Sequence, residues 1–298
     1  MEMKRMVRLC LAVVLSGWAV LAAPVNWQTA EPVQTGVRVV KLAVEEPRLM
    51  KMYLMRIDLA TPGIHFVGTG RAANWGEPMP DYTKRKMLIR TKRQRTGAFL
   101  KKQRSQGRNA IVAFNTAPWS PWERPYTHAY GDPSGLNICE GVVVSDHKRP
   151  KNPMLVVWKD GRVEIRETLK PEDYSKVQLA HTGFDMIIRD GKNLYPAGTR
   201  KDVNPRMAVG ISKDRRYLYL LAVDGRQPEW SLGASYTDLA STLLDAGAWN
   251  AVNMDGGGST TLIYWDAKAS KPVMLNRHCA NGGYQRPNAV NVAVWLEK

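Results

Sequence analysis

Apolar residues in this chain fall mostly in short runs, separated by Gly, Pro, Asn, Asp and Ser. Short runs bounded by turn formers predict strands, because a helix needs a longer periodic stretch. Residues 33–44 and 50–59 read as two early strands, interrupted by Pro47 and closed by Thr61-Pro-Gly63. Residues 110–114 form a short buried strand that ends on Asn115. Residues 135–144 and 154–165 follow, with Lys159-Asp-Gly161 as a hairpin signal and Arg189-Asp-Gly191 as another. Residues 207–211 and 217–223 pair around Lys213-Asp-Arg215, and residues 249–254, 262–265 and 289–296 add three more strands. Helical spacing is rare. Residues 96–106 form one helix stopped by Gly107. Residues 235–246 form the best helix, with a Ser235/Asp238 capping box, an apolar stripe at Leu239, Leu243, Leu244 and Ala246, and Gly247 as its stop. The pattern predicts an α+β class with mixed, mainly antiparallel sheets and a few packed helices. No fixed period recurs, which excludes solenoids and propellers.

One apolar run differs from the rest. Lys4, Arg5 and Arg8 precede a nearly unbroken apolar segment over residues 9–23. This is the layout of a secretory signal, too short to span a bilayer. Small residues around Ala22 place cleavage there, so residues 1–22 form the leader and residues 23–298 one domain. An uncleaved N-terminal anchor is the alternative. An exported protein, periplasmic or extracellular, with no integral membrane segment after cleavage is the expectation.

The 298 residues carry a formal net charge of +16, which loss of the leader lowers by only two. Such a charge points to an anionic partner: a sugar phosphate, an envelope glycan, nucleic acid or a membrane surface. Export argues against nucleic acid. Much of the charge lies between Lys84 and Arg108, where eleven residues are Lys or Arg and none is acidic. That tract is a solvated helix face or a patch for an anionic polymer. Of the three cysteines, Cys139 and Cys279 lie in the mature chain, either as one disulfide or as two buried thiols.

The chemistry concentrates at strand ends. Asn253-Met-Asp-Gly-Gly-Gly-Ser-Thr-Thr261 sets Asp255 before Gly256, Gly257 and Gly258, and hydroxyls at Ser259 and Thr260 after them. Bare amides in such a loop can form an anion nest, while the plainer reading is a tight hairpin. Asn115, Asp224 with Arg226, and Arg286 occupy similar strand-end positions, and Arg206 opens a strand. Strand ends of this kind converge at one rim of a sheet. Convergence would gather guanidinium groups, which hold phosphate oxygens bidentately, around two carboxylates, which glycosidic cleavage usually needs. Asp255 and Asp224 are therefore the candidate catalytic residues. Asn115, Arg206, Arg226, residues 256–260 and Arg286 are the candidate substrate-binding residues.

Residues 116–133 add Trp119, Trp122, Tyr126, His128 and Tyr130 on a proline-stiffened loop, suited to stacking on a sugar or to forming an apolar cluster of its own. Nucleotide-binding, nucleophile-elbow and S-x-x-K acyl-enzyme patterns are absent. The five histidines lack metal-ligand spacing; His181 is the one best placed to approach a site, with a core or surface position the plainer reading. No cofactor is required; Ca²⁺ held by loop oxygens is an open option.

The ordered segments Val203-Asn-Pro-Arg-Met-Ala-Val-Gly210, Val223-Asp-Gly-Arg-Gln227, Ser231-Leu-Gly-Ala-Ser235, 253–261 and Arg286-Pro-Asn288 resemble the phosphodiester glycosidase family from about residue 109 onward. The resemblance implies a mixed α+β domain that hydrolyses a sugar-1-phosphodiester, with its site on Arg206, Asp224, Arg226, Asp255, the three glycines, Ser259, Thr260 and Arg286. One segment departs. Where the family has an Asn-Gly-Gly-Phe-Phe-like stretch, this chain reads Asn115-Thr-Ala-Pro-Trp119, which keeps the asparagine and replaces the glycines. The rival expectation is a non-catalytic binder of anionic cell-envelope polysaccharide.

Overall fold

The computed structural model describes residues 19–20, 25–80, 82, 86–122, 128–147, 153–197, 199, 202–279 and 284–297. The expected leader lies outside these residues except for Ala19–Val20, which pair in parallel with Leu42 and Ala43.

Strand Tyr217–Val223 is apolar at nearly every position because both of its faces are covered. Leu220 and Ala222 point to one core, Leu221 and Val223 to another. The same alternation runs through its neighbours Met50–Asp58, Arg206–Ser212 and Ala248–Asn253. These strands form the centre of a large antiparallel sheet that continues through Val37–Val44 on one side and Asp185–Arg189 on the other. Helix Tyr236–Ala246 packs Leu239, Ala240 and Leu243 on the outer face. The inner face meets two five-stranded sheets. One is built on Asn109–Asn115, flanked by Leu262–Asp266 and Asn291–Leu296. The other is built on Val177–Thr182, flanked by Leu136–Cys139 and Met154–Trp158. Val209, Val252, Phe114, Leu155, Leu179 and Leu262 share the core between the sheets. Helix Thr96–Ser105 covers the far face with Phe99 and Leu100 on Ala113 and Ile263.

The α+β expectation holds in strand-dominated form: among the described residues the α-helices are these two. Two expected strands are hairpins instead. Residues 33–44 divide into Glu31–Gln34 and Val37–Val44 at Gly36, whose φ is +71°. Residues 135–144 divide into Leu136–Cys139 and Val142–Asp146 at Glu140-Gly141, both with positive φ. Each turn is only two residues, Thr35-Gly36 and Glu140-Gly141, with strand residues on either side, which hides it from a pattern reading. Both described cysteines are free thiols, Cys139 buried and Cys279 half-buried. No helix among the described residues is long and apolar enough to cross a membrane.

The anticipated capping box is present. Ser235 Oγ accepts from the Asp238 amide at 3.3 Å, and Asp238 Oδ2 accepts from the Ser235 amide at 2.7 Å. Gly247 closes the helix at φ 104°. Arg48 also bonds Asp238, tying the helix start to the first strands. Ser235→Ala should lower the unfolding free energy by about 1 kcal/mol, read as a shifted urea midpoint at unchanged slope.

Candidate active site

The loop 254–261 is the covalent bridge between two sheets. Strand Ala248–Asn253 of the large sheet enters it, and strand Leu262–Asp266 of a five-stranded sheet leaves it. Asn115, at the end of a strand in that second sheet, holds the loop closed. Its Nδ2 donates to the Asp255 carbonyl at 2.7 Å, and its Oδ1 accepts from the Thr261 amide at 2.9 Å. The Asp255 amide donates to the Thr116 carbonyl at 2.7 Å. A second anchor lies on the opposite side, where the Gly257 amide donates to the Pro205 carbonyl at 2.8 Å.

Asn204 and Pro205 are surrounded by bare backbone. A Cβ at Gly256 would lie 2.6 Å from the Pro205 carbonyl oxygen, one at Gly225 2.6 Å from the Pro205 nitrogen, and one at Gly233 2.5 Å from the Asn204 carbonyl carbon. Glycine at these positions permits contact that any side chain would break. Most amides of the expected nest are engaged within the protein. The amides of Gly257, Ser259 and Thr260 donate to Pro205, Gly256 and Gly257 carbonyls, and that of Gly256 donates to the Asp255 carboxylate. Four of the five amides over 256–260 thus close the turn rather than face the cavity.

A cavity of about 400 Å³ opens over this loop. Asp255, the three glycines and Ser259 form its floor. Arg206, Arg226, Arg286, Asn204 and Pro205 border it. Pro118, Trp119, Ser120, Trp122, Ser134 and Phe184 complete the wall. The two residues on which the spatial expectation turned, Asp255 and Arg286, therefore share one cavity.

Asp255 is only partly exposed, and burial pushes its carboxyl up to about 6. The Ser259 hydroxyl, the Arg286 charge, the Trp119 indole and the Gly256 amide all oppose that shift, so desolvation outweighs them. The arginines are not equivalent. Arg206 is buried, bonded to Asp202 at 2.6 Å and to the Ala234 carbonyl at 3.2 Å, and stacked over Tyr236. Arg226 is exposed and held by the neutral Asn204 carboxamide at 2.8 and 3.2 Å, which orients it without neutralising it. Arg226 has φ 57°, and a Cβ on Gly257 would lie 3.4 Å from its Nη1, so the guanidinium rests directly on the loop.

Three candidate residues stand elsewhere. Asp224 does not line the cavity. Its carboxylate is fully buried and accepts from the Trp230 indole at 2.6 Å, the Arg277 amide at 2.7 Å and the Tyr53 hydroxyl at 3.1 Å. Burial raises it to about 6 as well, against those donors. Its place is a structural one, pinning the 224–231 turn to strand Met50–Asp58 and to the segment leading to Arg286. Asn115 is buried and faces the loop from below rather than the cavity. Thr260 is likewise buried beneath it. His181 is a core residue, fully buried, bonded through Nδ1 to Thr116 Oγ1 at 2.7 Å and pushed down to about 3 by burial, so it stays neutral.

The aromatic loop divides. Trp119 and Trp122 reach the cavity, whereas Tyr130 packs against Met79, Met87 and Ile89, and His128 meets Tyr82 edge-on. Tyr126 lies outside the described residues. Trp119 does more than stack, since its indole serves Asp255 and its ring lies 4.5 Å under Arg93. Phe184 escapes pattern reading; its only signal is Gly183, where a Cβ would lie 2.6 Å from the Asn253 carbonyl oxygen. Among the described residues, no three His, Cys, Asp or Glu side chains converge to hold a metal ion.

An acid beside guanidinium groups and tryptophans suits a ligand that is anionic at one end and apolar at another. The sequence profile of the phosphodiester glycosidase family matches residues 106–295, and the chain belongs to that family. Bovine N-acetylglucosamine-1-phosphodiester alpha-N-acetylglucosaminidase is 36% identical over 96 residues, 32% of this chain and 17% of that protein. The human protein of the same name is 26% identical over 189 residues, 54% of this chain and 35% of that one. The chain thus spans about a third or less of these relatives' length. In fold it is similar to the zebrafish catalytic domain of that name, solved in a form auto-inhibited by its pro-peptide. The TM-score is 0.59 at 18% identity, covering 88% of this chain and 82% of that one.

Asn115→Ala should strand the Asp255 carbonyl and the Thr261 amide in the interior. A loss of about 2–5 kcal/mol in urea unfolding is expected, at the upper end for a hydrogen-bonded buried residue.

Proposed function

We propose that this chain is an exported hydrolase that cleaves a sugar-1-phosphodiester of a cell-envelope or related glycan, releasing the sugar from a phosphomonoester. Residues 23–298 form its single domain, delivered by the 1–22 leader to the periplasm or the exterior. The reading rests on one observation: Asp255 is the carboxylate on a cavity that also holds Arg226, Arg286 and an aromatic wall.

The aromatic wall takes the apolar face of the sugar, and Arg226 and Arg286 take the phosphodiester oxygens. Glycosidases usually pair an acid with a second carboxylate because an alkoxide leaves poorly without a proton. A phosphomonoester leaves as a stable anion, with a second pKa of about 6, so that proton is dispensable. A double displacement would also need another group to activate water against a glycosyl-enzyme. Among the described cavity residues only Asp255 handles protons. Asp255 therefore acts as base in a single displacement. It takes a proton from water as the water oxygen bonds the anomeric carbon. The anomeric C–O bond breaks, and its electron pair leaves with the phosphate. Arg286 and Arg226 stabilise the charge gathering there.

A sugar-1-phosphate methyl diester tests this. Asp255→Asn should lower kcat by about 10²–10⁴-fold, and the released sugar should carry the inverted anomeric configuration in the first NMR spectra. Equal turnover by wild type and variant would remove Asp255 from the mechanism. Because burial raises Asp255 to about 6, kcat/KM should be flat above that pH. It should fall tenfold per unit below it, as the base is protonated.

The exposed cations of the 92–102 region, Lys92, Arg95, Lys101 and Lys102, favour a second reading as a non-catalytic binder of anionic envelope polysaccharide. Salt-sensitive binding without hydrolysis of any sugar-1-phosphodiester would select it.

A further inference from the structure

A second cavity, of about 360 Å³, shares Ser120 and Ser134 with the first. The partition between them is the pairing of Trp119–Ser120 with Pro133 and Asp132. Ser120 follows Trp119 in the chain, so the shared serines adjoin the aromatic part of the first cavity, where the sugar is proposed to lie. The Ser134 amide fixes that wall by donating to the Pro118 carbonyl at 2.7 Å.

The new cavity holds Lys86, Asp132 and His147. His147 Nε2 lies 2.6 Å from Asp132 Oδ1, and Arg90 Nε lies 3.9 Å from the same oxygen. Asp132 is mostly buried, and its carboxylate is shared between Arg90 and the His147 ring. The bond to Asp132, and a weaker contribution from Asp146, favour the imidazolium form of His147, against burial and the Arg90 charge. Asp146, next in the chain to His147, is exposed. Lys86 is exposed and adds an ammonium group. A pocket with an oriented imidazolium and an ammonium, whose buried carboxylate is already matched, suits an anion.

We propose that this cavity is a subsite for a negatively charged group on the sugar, a carboxylate or a phosphate, recognised by Lys86 and His147. The proposal rests on the first cavity holding the sugar and its anomeric phosphate. It makes the substrate an acidic sugar rather than a neutral one.

Calorimetric binding of three ligands to the full chain tests it. They are glucose 1-phosphate, glucuronic acid 1-phosphate and glucose 1,6-bisphosphate, all at one ionic strength. At least one of the two acid-bearing ligands should bind about tenfold tighter than glucose 1-phosphate, the gain of one charge-assisted bond. Which of the two gains tells carboxylate from phosphate. The Lys86→Ala/His147→Ala double variant should lose the preference and keep its affinity for glucose 1-phosphate and its melting temperature. No preference in the wild type, or one that survives in the variant, overturns the subsite. Failure of the first-cavity reading looks different: Arg226→Ala leaves glucose 1-phosphate affinity unchanged, and no diester releases sugar.

Discussion

The Asn115 carboxamide is the constraint on which the rest of the site depends. Two sheets that share a core need not place their strand ends in register at the rim. Here one side chain spans the Asp255 carbonyl and the Thr261 amide, the two ends of the loop that joins the sheets. Buried bonds of that kind hold position because breaking them leaves polar groups with no water to meet. The Gly257–Pro205 bond fixes the opposite margin, and the Asp255 carboxylate is carried between the two.

Two carboxylates here reach about the same acidity by the same route in different surroundings. Asp255 and Asp224 are both raised to about 6, chiefly by burial. Asp224 spends its lone pairs on Trp230, Arg277 and Tyr53 inside the protein, whereas Asp255 opens on a cavity bordered by arginines. A displaced titration marks desolvation. Only access to solvent and to a neighbouring charge separates a reactive acid from a structural one.

Much of the scaffold was legible in the chain. The Ser235–Asp238 box and Gly247 bounded one helix, and the strands around Lys213-Asp-Arg215 paired as their alternation required. The grouping of Arg206, Arg226, Asp255 and Arg286 was also readable, since strand-end turns tend to meet. Orientation was not. Whether Asp224 turns inward depends on Trp230 lying across its own turn, a contact set by three-dimensional closure. The amides of residues 256–260 looked available in sequence, and the carbonyls of Pro205, Gly256 and Gly257 claim three of them. Phe184 and the serines of the partition carried no motif at all.

The three glycines packed around the Asn204–Pro205 backbone bear on how this protein can diversify. Each contact there is main chain against main chain, so a substitution at 225, 233 or 256 would force two segments apart and take Asp255 with them. The floor is frozen in that sense. The opposite wall hangs on the two-residue strand Trp119–Ser120, and Trp122 beyond it is largely exposed. Trp122 can be exchanged without removing a bond to the acid, whereas Trp119, whose indole serves Asp255, cannot. Relatives that diverge in this pocket should therefore differ at the exposed rim around Trp122 while sharing an unchanged glycine bed.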